Sequence, residues 1–330
     1  MYHETKMRLK YNPFPIIFSQ GDDATQLAYL EFFGKETSWR ARMCLSALIR
    51  QQRPDGGSVS HLDPTHWGMQ ETVRNTLLVL KVGEPLKALH VQNALGFILA
   101  CQRPDGGWCE NPLLKIPPEQ TWLSNQRSVT WLTANIVELL RTAGMTDRRE
   151  CQSAVSWLKR IQNQDGSWPS VAPNENGYQT APGDSDVTAQ ITFLMGELSG
   201  ENDPGYLKGR GLFEHYLDIC AHDVEQGYHV APDGENEEIE VYHLTHLFLS
   251  SLLDPPRRLR KGYDSHDPRV KQILEALIDI QCQDGGWRPF WSQESSPVYT
   301  VLALKVLVLS GMLVQEELNM DIELYATRSG

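Results

Sequence analysis

The chain has 330 residues, 41% of them hydrophobic, and a formal net charge of −12. That length can bury a sizeable core, and the acidic balance leaves no basic footprint for nucleic acid. Six scattered cysteines (Cys44, Cys101, Cys109, Cys151, Cys220 and Cys282) show neither a CxxC pair nor zinc-finger spacing, which fits free, packed thiols in a reducing compartment.

In chain order, the start Met1-Tyr2-His3-Glu4-Thr5-Lys6 lacks the basic-then-apolar run of a signal peptide. Two kinds of helix then alternate. Residues 22–33, 70–82, 127–143, 184–198, 240–253 and 297–309 are apolar almost all round, the pattern of buried helices. Residues 39–52, 86–102, 150–162, 206–222 and 267–281 carry polar faces, as does a last segment, 314–325. The most apolar stretch, 298–314, is interrupted by Lys305 and is too short to span a bilayer. A soluble, cytoplasmic protein is expected.

Each polar-faced helix ends on a repeat. Gln52-Arg53-Pro54-Asp55-Gly56-Gly57 returns as Gln102-Arg103-Pro104-Asp105-Gly106-Gly107-Trp108, as Gln162-Asn163-Gln164-Asp165-Gly166-Ser167-Trp168 and as Gln281-Cys282-Gln283-Asp284-Gly285-Gly286-Trp287. A decayed copy is His222-Asp223-Val224-Glu225-Gln226-Gly227-Tyr228, and the acidic positions are spaced by 50, 60, 60 and 59 residues. Asp-Gly after a helix is a stop signal, because glycine takes the left-handed conformation that closes the last turn. A regular period of this length means stacked units that bury one another's faces.

The expected fold is all-α: a single α/α barrel of six helical hairpins over residues 1–330, with the apolar helices inside. The Gln-x-x-Asp-Gly turns are expected outside, away from the inner-helix starts. An open superhelix is the alternative. Closure would gather Asp22, Asp23, Gln70, Glu71, Arg127, Asp184, Asp186, Glu240, His243 and Glu294 at one rim. Asp184-Ser185-Asp186-Val187-Thr188-Ala189 opens an inner helix after Pro182-Gly183. It reads plainly as an N-cap with a first-turn acid, or more sharply as a catalytic acid, since a buried rim is a poor place for idle carboxylates.

The repeats resemble the QW motifs of the squalene–hopene cyclase and class II terpene cyclase superfamily, whose α/α barrel is shared by protein prenyltransferase β subunits. The resemblance covers the chain from about Asp22 to Tyr325. It implies that the repeat Gln caps the outer helix and stacks on the Trp of a neighbouring repeat. Gln102, Asp105, Trp108, Gln162, Trp168, Gln281 and Trp287 are then structural. It also implies Asp186 as the general acid that protonates a terminal alkene or epoxide and Asp184 as the neighbour that tunes it, with Val187 in place of the family's last Asp. Burial and a second carboxylate both favour a protonated acid. The ensuing cation needs aromatic faces, which Trp122, Trp131, Phe193, Tyr242, Phe290, Trp291 and Tyr299 could supply, although ordinary core filling is the stronger reading of any one of them. The family's usual register falls on Gly68-Met69-Gln70-Glu71-Thr72-Val73, where Glu71 and Thr72 match.

The expected function is therefore class II-type terpene or meroterpenoid cyclisation of a polyprenyl substrate. The supporting residues are Glu71, His243, Glu240, Tyr242, Arg127, Trp131, Phe193, Trp291 and Tyr299. No cofactor is expected. A prenyltransferase-like alternative would place Mg or Zn on Asp184, Asp186 and His243, an oxygen-rich set without the thiolate that zinc favours. That reading has only Arg127 and Arg74 to hold a diphosphate. A non-catalytic isoprenoid- or lipid-binding barrel is the third reading. The expected partner is a polyprenyl small molecule, with peripheral membrane contact compatible with it; oligomeric state is left open.

Overall fold

The computed structural model describes residues 8–173, 183–225, 262–289, 292–315 and 318. The predicted inner helix 240–253, the final helix 314–325 and the end of the decayed repeat lie largely or wholly outside them. The chain forms two compact units, Met43–Gly209 and Met1–Arg42 with Arg210–Gly330.

In the first unit the helices are α4 (Met69–Lys81), α5 (Leu89–Ala100), α6 (Thr130–Thr142), α7 (Arg149–Arg160) and α8 (Ser185–Ser199), with a short hairpin of β1 (Ser58–Val59) and β2 (Trp67–Gly68) before α4. The antiparallel hairpin pairs Ser58 with Gly68 and Val59 with Trp67. In the second unit α1 (Phe14–Gln20) and α2 (Asp23–Phe32) pack on α11 (Pro297–Leu309), and α10 (Pro268–Asp279) precedes the last repeat turn. Helices α3 (Trp39–Arg50) and α9 (Pro204–Glu225) carry the chain across the unit boundaries. Among the described residues no helix is long and apolar enough to cross a membrane, and all six cysteines are free thiols.

The two helix kinds separate as their sequences require. α7 buries Cys151, Ala154, Trp157 and Leu158, a single stripe at helical spacing. α6 buries Thr130, Leu132, Thr133, Ala134, Ile136, Val137, Leu139 and Leu140, residues from most of its circumference. α4 packs on α6 and α6 on α8, so the three inner helices of this unit lie side by side, with α5 and α7 packed on α4 and α6 respectively.

The repeat turn is the joint between the layers. Its Asp accepts the backbone N–H two residues on: Gly57 to Asp55 at 3.1 Å, Gly107 to Asp105 at 3.0 Å, Ser167 to Asp165 at 2.9 Å and Gly286 to Asp284 at 3.0 Å. The glycine that follows the Asp holds a φ near +100°, as at Gly106 (103°) and Gly166 (99°), a conformation side chains resist. At Gly166 a Cβ would also meet the backbone of Lys208 at 2.8 Å. The Gln amide donates twice, to its own turn and to the start of the next outer helix. Gln102 reaches Gly106 O at 2.9 Å and Glu150 O at 2.8 Å, and Gln162 reaches Gly166 O and Gly205 O, each at 2.9 Å.

The Trp then latches outer helix to inner helix. Its indole N–H donates to the carbonyl ten residues earlier: Trp108 to Ile98 (2.7 Å), Trp168 to Leu158 (2.8 Å) and Trp287 to Leu277 (2.7 Å). Its backbone N–H donates to a threonine hydroxyl on the next inner helix: Thr133 at 3.1 Å, Thr188 at 2.9 Å and Thr300 at 3.1 Å.

One expectation is corrected. The turns lie beside the inner-helix starts, not away from them: Asp105 accepts from Ser128 Oγ just before α6, and Asp284 from Ser295 Oγ just before α11. An outer helix ends where the next inner helix begins, so the segment that joins them has to sit at that end.

Because Trp168 and Trp287 are each only 1% exposed, Trp168→Ala and Trp287→Ala should each cost about 3–5 kcal/mol, read as a shifted midpoint in urea unfolding. Thr188→Val, which keeps the shape and leaves the Trp168 N–H without its acceptor, should cost about 1–3 kcal/mol in the same assay.

Candidate active site

Three inner-helix starts meet in the unit Met43–Gly209, and the segment after each repeat Trp stitches them together. Two residues past Trp108, Glu110 reaches back to α4. Its Oε2 accepts from Met69 N at 2.7 Å and its Oε1 from Gln70 N at 2.9 Å. The N-cap position of α4 is Gly68, which has no side chain to do this, so a carboxylate borrowed from the next repeat satisfies the helix's open N–H groups. Two residues past Trp168, Ser170 accepts from Thr130 N at 2.8 Å through its carbonyl. Its hydroxyl donates to Asp184 Oδ2 at the start of α8.

The start of α4 holds a buried acid pair. Glu71 is 7% exposed and Glu110 2%. His61, from the loop of the hairpin, bonds through Nδ1 to Glu71 Oε1, and its backbone N–H donates to the same oxygen at 3.2 Å. Gly68 makes room for this carboxyl: a Cβ there would lie 1.9 Å from Glu71 Oε2. The hydrogen bond to Glu71 raises the His61 imidazole above its ordinary value, against partial burial. Burial pushes Glu71 up, but the His61 bond and charge outweigh it and hold the carboxyl below its usual range. Burial pushes the Glu110 carboxyl up, against the two N–H groups that favour its anion, and the Glu71 charge adds to the rise.

At α8, Asp184 is the N-cap. Its Oδ1 accepts from Asp186 N at 3.0 Å and Val187 N at 3.2 Å, and with Ser170 on Oδ2 the carboxylate is fully engaged. Asp186 sits half-buried in the first turn. Asp184 thus follows the plain reading of the motif, a cap, two residues before Asp186. Thr188, another residue of that motif, is the latch to Trp168.

The other predicted residues are placed as follows. Arg127 donates from Nη1 to Ala172 O at 3.1 Å, on the segment between the α6 and α8 starts. Trp131, half-buried on α6, donates its indole N–H to Trp122 O at 2.9 Å. Phe193 is buried within α8, and Tyr299 is buried at the start of α11 in the other unit. Glu240, Tyr242, His243, Phe290 and Trp291 lie outside the described residues. Among the described residues no group of three or more His, Cys, Asp or Glu side chains could hold a metal ion. The proposed set of Asp184, Asp186 and His243 has one member outside them and another engaged as a helix cap. Sequence reasoning missed His61 and Glu110. The second was within reach, because the position two past the repeat Trp faces the preceding inner-helix start in both copies; nothing in the local pattern marks the first.

Two family models match the chain: the squalene-hopene cyclase C-terminal domain over residues 22–182 and the prenyltransferase alpha-alpha toroid domain over residues 251–325. Both matches support the class II terpene cyclase and squalene–hopene cyclase superfamily that the repeats resemble. The chain's fold is the all-α barrel that this superfamily shares with prenyltransferases. Solved structures agree on the fold. A protein from Actinoplanes is 14% identical with a TM-score of 0.54, matching 87% of this chain and 90% of its own. The type II terpene cyclase MstE from Scytonema is 12% identical with a TM-score of 0.53, over 88% of each chain. A substituted form of MstE in complex with its substrate geranylgeranyl dihydroxybenzoate is 14% identical with a TM-score of 0.52, over 88% of this chain and 87% of that one. No curated protein matches by sequence.

The His61–Glu71 pair makes a pH prediction for this protein. The raised His61 contributes stability that is complete below its ordinary 6.5 and is lost as pH rises through the raised value. The depressed Glu71 contributes stability that is present above its ordinary 4.5 and is lost as pH falls through the lowered value. The pair therefore stabilises between the two shifted values. In an NMR titration the His61 ring should have its midpoint above 6.5, and Glu71→Gln should bring it down.

Proposed function

We propose that this protein is a class II-type terpene or meroterpenoid cyclase that starts cyclisation of a polyprenyl substrate by protonating it, without a metal. The observation that carries the reading is the rim of buried and half-buried carboxyls at the starts of α4 and α8, in a chain of the cyclase superfamily. Such chemistry needs a carboxylic acid that keeps its proton in an apolar site. The bound substrate and product reported for the similar cyclase MstE, a geranylgeranyl dihydroxybenzoate and merosterolic acid A, guide the choice of assay compounds.

Asp186 is the proposed donor. Its neighbour Asp184, tied to the helix start and to Ser170, fixes the turn that presents it and places a second carboxylate nearby. Glu71 is the second reading, favoured by its burial and register, and His61 argues against it: a carboxyl held ionised by an imidazole has no proton to give at neutral pH. Arg127, Trp131, Phe193 and Tyr299 remain proposed substrate-side residues, together with Glu240, Tyr242, His243 and Trp291. We place the protein in the cytoplasm.

The test is incubation with farnesyl, geranylgeranyl and aryl-prenyl substrates, read by mass spectrometry. Asp186→Asn should lower turnover by several orders of magnitude with folding intact, and Asp184→Asn should hurt less, since it does not deliver the proton. Chelation with EDTA should leave turnover unchanged. A dead Glu71→Gln beside an active Asp186→Asn would move the acid to α4. Activity restored only by added Mg or Zn would favour the prenyltransferase-like chemistry.

A further inference from the structure

The four repeat turns superpose in register with one exception. Ser58 stands where the others have Trp108, Trp168 and Trp287. Its backbone N–H still reaches the latch threonine, Thr72, at 2.8 Å, so the joint is kept and only the indole is lost. Three residues past each latch threonine, α6, α8 and α11 carry Ile136, Ile191 and Ala303, all buried. The equivalent residue on α4 is Asn75.

The two departures meet in space. A cavity of about 20 Å³ is lined by Leu48, Gln52, Ser58, Asn75, Thr76 and Val91, among others. Leu48 lies ten residues before Ser58 and is the counterpart of Ile98, Leu158 and Leu277, whose carbonyls accept the indole N–H groups. Asn75 is 4% exposed, and among the described residues neither atom of its amide has a hydrogen-bond partner. Leaving an amide buried and unpaired is costly, and in the other repeats an apolar side chain avoids that cost.

We propose that the space left by the missing indole is a hydrated internal site, in which one water molecule anchored on the Asn75 amide supplies the donor that tryptophan supplies elsewhere. Volume selects the ligand. A single water needs about 10–15 Å³ of such space, whereas a cavity that holds a benzene-sized molecule is about 150 Å³. Polarity selects it too, because cavities that stay dry are lined by apolar groups. Asn75 and Ser58 thus act as one unit: the serine opens the slot, and the asparagine makes it wet.

The test is a high-resolution crystal structure of the full chain, with and without xenon. The expected result is one water within hydrogen-bonding distance of Asn75 and no xenon in the slot. Asn75→Ala, which removes the amide and leaves a larger, more apolar slot, should lose the water and admit xenon. An Asn75 amide bonded to protein groups, an empty slot, or xenon bound beside Asn75 in the unaltered chain would overturn the proposal. Those three readings come from the unaltered protein and stand even if a variant fails to fold.

Discussion

The structure depends on one hydrogen-bonded joint, the tryptophan that ends three of the four described repeat turns. Its indole N–H ties it to the outer helix it has just left, and its backbone N–H ties it to a threonine on the inner helix to come. Both acceptors are buried, so each bond relieves a group that would otherwise be desolvated without a partner. The indole itself is among the largest fully buried side chains of the molecule, and its apolar area adds to the joint. The Gln and Asp of the same turn extend the joint sideways, to the next outer helix and to the residue before the next inner one. A sequence that repeats this turn repeats the geometry with it.

The joint also explains where the chemistry can sit. Among the described residues it brings the repeat turns to the end at which inner helices begin, and the residues just past Trp108 and Trp168 run along the preceding helix starts. Those starts expose unpaired N–H groups and a positive dipole end, which the chain answers with carboxylates: Glu110 for α4 and Asp184 for α8. Acids thus collect at this end first for structural reasons. Asp186 and Glu71 lie in the first turns themselves, beside acids that are already engaged. The two differ in their surroundings, since Glu71 has His61 against it and Asp186 has the anchored Asp184 two residues before it.

A threonine shared with the cyclase motif illustrates how fold and function overlap in one string of residues. Thr72 and Thr188 both match the threonine of that motif, yet Thr133 and Thr300 occupy the same place on helices without an acid in the first turn, and all four accept the N–H that ends a repeat turn. That part of the motif belongs to the barrel. The acids beside it are what distinguish one inner helix from another.

By itself the sequence determined the helical class, the alternation of buried and half-buried helices, the helix ends and the structural role of the repeats. Each of these follows from local rules: 3.6-residue periodicity, glycine at a left-handed stop and side-chain caps such as Asp184 act within a few residues of one another. It also marked Asp184, Asp186 and Glu71 as residues at inner-helix starts. The tertiary structure alone decided that Glu110 crosses from one repeat to serve the helix of another and that His61 meets Glu71. It alone showed the turns beside the inner-helix starts, and the cavity beneath Ser58 where the other repeats bury an indole. The reason is that burial, pairing and charge at a carboxyl depend on groups ten to forty residues away, which no local period connects.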